Sequence, residues 1–516
     1  MRFFAVVLPC ALLVALGGFL EVSRRVYVPQ IWNGMYEKVY DSVVWLPESD
    51  ESVAERFDGT LGRVGVQVYM LNLTNVDAVR HGSRARVERI GPYVFRKSKK
   101  RARVSWLEGD EMVEFTEGIG YEFVGEESVG NLTDVVHTLN IPLVGAIELV
   151  MARSPSRMSR LFQLVIQLIE RWSDPRVKGI FMCRTVEELL FGYDDPLLSK
   201  LSHFVPGINS HFSLLHNMTA EEGYLMKMKT GKGDIDAATE LTVWNGVSEI
   251  SAWESAEIVR GTDGRQFPPA MSKALGEVDN VTHNRVWVAE AYRSVKIFSD
   301  GTPGDSGRLK SLRYLPDDAV FSTSTKYHQN IRGLFNISSP INAGIRGRKM
   351  DVGPKLFLSL PGFCNVDALA STSVDGIQCD ADPKDQIYLD VEPMSGITVN
   401  AKKSLMLSVW FGDSYNAVEP KIVNDTFLPV LEVTEHSQAS DTDLKRLSSL
   451  QTGIALCITM IRYSQMWSVV CVLLGVSMMI AAMMYPKAKD NQRSWQEEDA
   501  IEQGDTDALL ADDNDT

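Results

Sequence analysis

Gly304-Asp305-Ser306-Gly307 is spelled like the nucleophile loop of a serine hydrolase. A serine in such a loop attacks only when a histidine takes its proton and a carboxylate orients that histidine. Here Arg308-Leu309 follows instead of Gly-Pro, no His and Asp partners can be picked out, and DGTPGDSG has the composition of a turn. A turn is therefore expected, and no enzymatic activity. The eight histidines, including His203, His211 and His216, show no metal-ligand spacing with Cys or Asp, and there is no phosphate-binding GxxxxGKS/T loop. No metal site and no cofactor are implied.

Charge offers more. Arg96 to Arg103 holds six bases in eight residues, a positive field for sulfated glycans, anionic lipids or charged particles. The plainer reading, slightly preferred, is a solvated strand-turn edge protected from pairing with other chains. Arg153, Arg157 and Arg160 stand beside an apolar stretch with Leu161, Phe162, Val165 and Ile166, and a cation next to an apolar groove suits an amphiphile with an acidic head. Burial of the arginine stems along helices is the competing account. Asp505 lies four residues before Leu509-Leu510. Two leucines fill an apolar pocket while the acid meets a basic patch, which is the logic of acidic dileucine signals read by clathrin adaptors. Asn-x-Ser/Thr sequons occur at Asn72, Asn131, Asn217, Asn280, Asn336 and Asn424, which places the intervening chain in the secretory pathway.

Two runs, Phe3 to Leu20 and Met466 to Tyr485, contain no charged side chain. As helices they reach roughly 27 and 30 Å, about the hydrocarbon thickness of a bilayer. Four segments follow: a terminal anchor at 1–20, a luminal or extracellular domain at 21–465, a second span at 466–485 and a tail at 486–516. Lys487, Lys489 and Arg493 put that tail in the cytoplasm. From the residues alone the first run fits a signal peptide cleaved near Ala15-x-Gly17 or an uncleaved anchor, Arg24 and Arg25 opposing the anchor's orientation. The net charge of −15 over 516 residues argues against nucleic acid. The tail supplies ten of the acids and only three bases, a composition expected to be disordered. Mean hydropathy, −0.08, averages these unlike parts.

Val64 to Arg103 and Lys355 to Asp413 are rich in β-branched and aromatic residues, with helical patterns between them, so an α+β fold joining sequence-distant strands is expected. Leu161, Leu164, Val165, Leu168, Ile169 and Trp172 form a helical stripe after a first helix in IPLVGAIELVMA, and Thr185 with Glu188 spells a capping box. Cys364 and Cys379 enclose a short loop that an oxidising lumen closes, stabilising by roughly 3 kcal/mol; Cys183 reads as a buried free thiol.

NLTNVDAV with GPYVFR, RTVEELLFGYDDPLL, AWESAEIVRGTDGRQFPP and YLDVEPMSGITVNAKKSLMLSV run in order from about Tyr69 to Val409. In that order and spacing the chain resembles the class B scavenger receptors, the family of the fatty-acid translocase and the type two lysosomal integral membrane protein. The resemblance implies an irregular antiparallel β-barrel with a helical apex and an internal apolar tunnel, anchored by two terminal transmembrane helices with both termini cytoplasmic. It places Ile141 to Trp172 at the ligand-receiving apex. The implied function is a receptor that binds lipids or lipoprotein-like particles and passes lipid through the tunnel, at endosomal or lysosomal membranes and the plasma membrane. The alternative is a trafficking receptor for a luminal protein held at the apical helices. The chain departs from the family's best-studied members in having no cysteine from Val281 to Leu360.

Overall fold

Alternating β-branched and polar residues in VGVQVYMLNL form β1 (Val64–Leu73), with Val66, Val68, Met70, Leu71 and Leu73 buried. The structure is a computed structural model describing residues 2–39, 64–153, 176–196, 198–199, 210–269, 283–305, 307, 309–343, 353–412 and 425–511. The longer strands that follow are β2 (Ala85–Leu107), β3 (Met112–Phe123), β4 (Val135–Leu139), β5 (Phe181–Thr185), β6 (Tyr224–Lys229) and β7 (Leu241–Trp244). Then come β8 (His283–Val288), β9 (Arg293–Phe298), β10 (Leu312–Pro316), β11 (Lys355–Ser359), β12 (Ile387–Val391), β13 (Thr398–Phe411) and β14 (Thr426–Gln438).

One sheet runs β7-β6-β3-β2-β1-β14-β13-β12-β10-β9-β8, every neighbour on this path antiparallel, with β11 branching onto β13. The pairing of β1 with β14 brings the two ends of the domain together, as the α+β reading expects. The free edges β7 and β8 are joined by Gly261-Thr262: Leu241 N–H donates to Gly261 O at 2.8 Å, Thr262 N–H to Arg285 O at 3.0 Å and Trp287 N–H to Thr262 O at 2.8 Å. Gly261 has φ +89°, and a Cβ there would sit 2.8 Å from Arg285 O, so only glycine closes the ring this way. The sheet is thereby a nearly closed barrel.

The helices meet their sequence signals. Asn140 Oδ1 accepts Leu143 N–H at the start of α2 (Ile141–Arg153), whose Ile141, Leu143, Val144 and Ile147 are buried in the main core; the first helix, α1 (Arg2–Val39), is described below. The capping box forms at α3 (Val186–Phe191): Glu188 N–H donates to Thr185 Oγ1 at 3.2 Å and Thr185 N–H to Glu188 Oε2 at 3.0 Å. The stripe from Leu161 to Trp172 lies outside the described residues.

Two compact units divide the chain, one built on residues 1–38 and 449–516 and the other spanning 39–271 and 278–448. In the first, α1 meets α4 (Asp441–Ala511) through small residues. A Cβ on Gly17 would lie 2.6 Å from Val472 Cγ2, one on Gly475 would lie 2.7 Å from Val14 Cγ2, and Ser468 Oγ donates to Gly17 O at 2.9 Å. Among the described residues no helix is long and apolar enough to cross a membrane, so the anchoring rests on the two charge-free runs of sequence, which fall inside α1 and α4. The tail departs from expectation: α4 continues to Ala511. Ala, Glu, Gln, Lys and Leu are good helix formers, and net charge alone does not cancel that propensity.

Candidate functional site

The basic run is not a solvated strand-turn edge. Residues 96–102 are paired to β3 along their length, Arg96 and Lys97 pair to β1 as well, and alternate side chains are held by ion pairs. The period of two in a strand turns Lys97, Lys99 and Arg101 to one face, toward a cavity of about 760 Å³. Their heads end on buried acids. Glu117 on β3, 4% exposed, takes Lys99 at 2.8 Å, Arg101 at 3.2 Å and Arg265 at 3.4 Å, while Asp263 takes Arg265 at 3.4 Å and Arg101 at 3.8 Å. Arg101 also lays its guanidinium 4.3 Å from the centroid of buried Phe115. A second cluster joins Lys97 to Glu435 on β14, and Lys403 on β13 to Glu435 at 3.2 Å and to Glu290, in the β8–β9 turn, at 2.5 Å. The Lys403–Glu290 pair links strands that are not neighbours in the sheet.

Burial and charge oppose each other here. Burial raises the Glu117 carboxyl, but Lys99, Arg265 and Arg101 outweigh it and hold it well below the usual carboxylate range. Glu435 follows the same rule, with Lys403 and Lys97 overriding burial. Burial lowers Lys403, and Glu290 with Glu435 more than reverses that, leaving it above its ordinary value. Arg101 goes the other way: burial, then Arg265, push it down to about 10 against the pull of Glu117 and Asp263.

The rest of the cavity lining is mainly apolar, Glu290 in the β8–β9 turn being a charged exception. Val286, Val288, Val295, Ile297, Phe321, Phe335, Leu358 and Leu389, from β8, β9, β11, β12 and adjoining segments, face the cavity. Among the described lining residues nine are Lys or Arg and four are Asp or Glu, so the potential on the charged side is positive. Trp287 also lines the cavity, and its buried indole N–H has no hydrogen-bond partner. The volume lies within the ~300–1,000 Å³ of small-molecule sites and is too small for a particle.

The residues singled out by sequence are scattered. Arg153 ends α2 with its side chain undescribed, while Arg157, Arg160, Leu161, Phe162, Val165 and Ile166 lie outside the described residues, as do Asn280, Asn424 and Ser306. Asn131 and Asn217 are exposed, whereas Asn72 and Asn336 are half-buried. Asp505, Leu509 and Leu510 fall within α4, their side chains undescribed. Cys364 and Cys379 are disulfide-bonded, with Cα atoms 4.8 Å apart. Cys183 is free but only half-buried. The serine-hydrolase look-alike is a pinned turn: Gly304 N–H donates to Ser311 O and Asp305 N–H to Asp390 Oδ2, both at 3.0 Å. No cluster of three or more metal-ligating side chains exists among the described residues. The ion-paired wall was missed, although the every-second-residue spacing of Lys97, Lys99 and Arg101 in a strand-rich stretch was its visible signal.

The family model that describes the CD36 family matches residues 14–485. The chain belongs to the CD36 family. It is similar to human lysosome membrane protein 2, at 26% identity over 413 residues covering 78% of this chain and 80% of that protein. It is also similar to bovine scavenger receptor class B member 1, at 26% over 359 residues covering 67% and 65%, and to rat lysosome membrane protein 2, at 24% over 404 residues covering 78% and 80%. This CD36-family chain is a scavenger-receptor-like membrane protein, and members of the family are receptors rather than enzymes.

Proposed function

We propose that the protein is a lipid receptor whose barrel cavity holds and passes on single lipid molecules taken from lipids or lipid particles. The observation that carries this reading is the two-sided cavity, one side apolar and the other cationic, of a size for one amphiphile. Particles too large for the cavity would be met at the apex, where Arg153, Arg157, Arg160, Leu161, Phe162, Val165 and Ile166 supply cations beside apolar side chains. The test is lipid analysis of full-length protein purified in mild detergent. Wild type carries stoichiometric lipid, and Ala401→Trp, which fills the cavity from β13, loses most of it; a wild type free of lipid would sink the proposal.

The two-pass topology, with both termini cytoplasmic, belongs to the same reading. It is supported by the charge-free runs inside α1 and α4 and by their fit through Gly17 and Gly475, the small-residue contact suited to helices in lipid. A lysosomal or endosomal address, with transit through the plasma membrane, accords with the names of the relatives. Asp505 four residues before Leu509-Leu510 is the acidic dileucine spacing that a clathrin adaptor would read. Leu509→Ala with Leu510→Ala is expected to raise the surface-exposed fraction several-fold by surface biotinylation; an unchanged distribution removes the motif.

A further inference from the structure

A second cleft, of about 600 Å³, opens at the end of β1, and its lining includes Asn72, Asp77, His137, Lys178 and Cys183. Asn72 Oδ1 accepts the backbone N–H of His137 at 2.9 Å. That bond fixes the amide plane and leaves Nδ2, the atom that carries an N-linked sugar, without a hydrogen bond to any described residue. His137 and Cys183 are directly opposed in the β4–β5 pair. Strands lie ~4.8 Å apart, so the Asn72 amide is about two strand spacings from Cys183, within reach of the first sugars of a chain on Asn72. The Asp77, His137 and Lys178 side chains line this path, all exposed and with no side-chain partner among the described residues. They offer the mixed donors and acceptors that sugar hydroxyls and acetamido groups take.

The other sequons differ. Asn131 and Asn217 project from exposed positions. Asn336 Nδ2 donates to His328 O at 3.2 Å, and the sequon's Ser338 is buried with Oγ accepting Leu356 N–H at 2.9 Å. Asn72 combines an unengaged Nδ2 with a polar cleft beside it. A free half-buried thiol on that cleft is a liability in an oxidising compartment, where it exchanges with other disulfides when reached.

We propose that the cleft is the seat of the N-linked glycan on Asn72, whose first sugars cover the Cys183 thiol. The inference rests on the luminal placement of the domain. Full-length protein from a glycosylating eukaryotic host, in detergent, is treated with a small maleimide, and labelling of the Cys183 peptide is followed by mass spectrometry together with glycan occupancy at Asn72, Asn131 and Asn217. Asn72→Gln and Thr74→Ala, which remove the sequon in two different ways, are expected to speed Cys183 labelling at least about tenfold, the effect of a barrier lowered by ~1.4 kcal/mol. Asn131→Gln leaves the rate unchanged. Equal rates in wild type and both variants with Asn72 occupied overturn the proposal, as does a bare Asn72 beside occupied Asn131 and Asn217. Three bare sequons would instead overturn the luminal placement itself, and the proposal with it.

Discussion

The two sides of the barrel cavity are stabilised by opposite chemistry. On the β8, β9, β11 and β12 side the layer facing the cavity is held by apolar contact, in which Val295 and Ile297 pack with Phe267 and Tyr314, while the Arg313–Asp390 ion pair of β10 and β12 is not among the cavity lining. The β2, β13 and β14 side is held by ions whose value depends on one another, since a buried acid ringed by bases is tolerable only while all are present. An apolar side accepts any tail. A cationic one ranks heads, so in the proposed lipid receptor discrimination among lipids would belong to the charged side and capacity to the apolar one.

The comparison breaks first on stability. Glu117→Leu strands Lys99, Arg101 and Arg265 around an apolar side chain and is expected to cost ~3–5 kcal/mol, as for removal of one partner from a buried ion cluster. Leu358→Ala on the apolar side leaves a cavity wall merely shorter and costs ~2–4 kcal/mol. Thermal unfolding of the two variants beside wild type should give the larger drop for Glu117→Leu. The reverse order would mean that the acid is dispensable and that the bases are solvated after all.

Ligand choice gives a smaller effect. A long-chain carboxylate should bind wild type about tenfold more tightly than the alcohol of the same chain length, a difference of ~1.4 kcal/mol, and Lys99→Gln at the cavity lining should erase it while leaving the alcohol's affinity alone. Equal binding of acid and alcohol by wild type, measured by displacement of a fluorescent lipid, would assign head discrimination elsewhere.

What was legible in the sequence follows from range. β1 is read to the residue because VGVQVYMLNL carries its own period, and the α3 cap because Thr185 and Glu188 are three residues apart. The Cys364–Cys379 loop closes across 15 residues. The charged wall was illegible for the converse reason. Lys97 meets its acid 338 residues later and Arg265 reaches back 148 to Glu117, and nothing in RKSKKRAR tells whether such partners arrive. Without partners the run would be a solvated edge. With them it is an interior wall. The acidic tail misled differently: its charge argued for disorder, while its residue types favour the helix that α4 continues through it.

The smallest expected effect concerns pH, and it separates the two sides most cleanly. Glu117 and Glu435 titrate in the folded barrel below their unfolded value of ~4.3. A carboxyl depressed on folding contributes stability that is fully present above the unfolded value and is lost as pH falls through the folded one. Lys403, raised on folding, contributes fully below ~10.4 and is lost only as pH rises through its folded value. From about pH 5 through neutrality the network is therefore fully charged, its alkaline limit set by Lys99 and Arg101, which burial lowers, and a barrel entering an acidic vesicle keeps its cationic wall. The gap in melting midpoint between wild type and Glu435→Gln should be constant from pH 7 to pH 5 and shrink only below about pH 4, whereas the gap for Leu358→Ala should not respond to pH at all. A Glu435→Gln gap that narrows between pH 7 and pH 5 would show the carboxyl titrating within the vesicular range and make the charged wall a pH-released one.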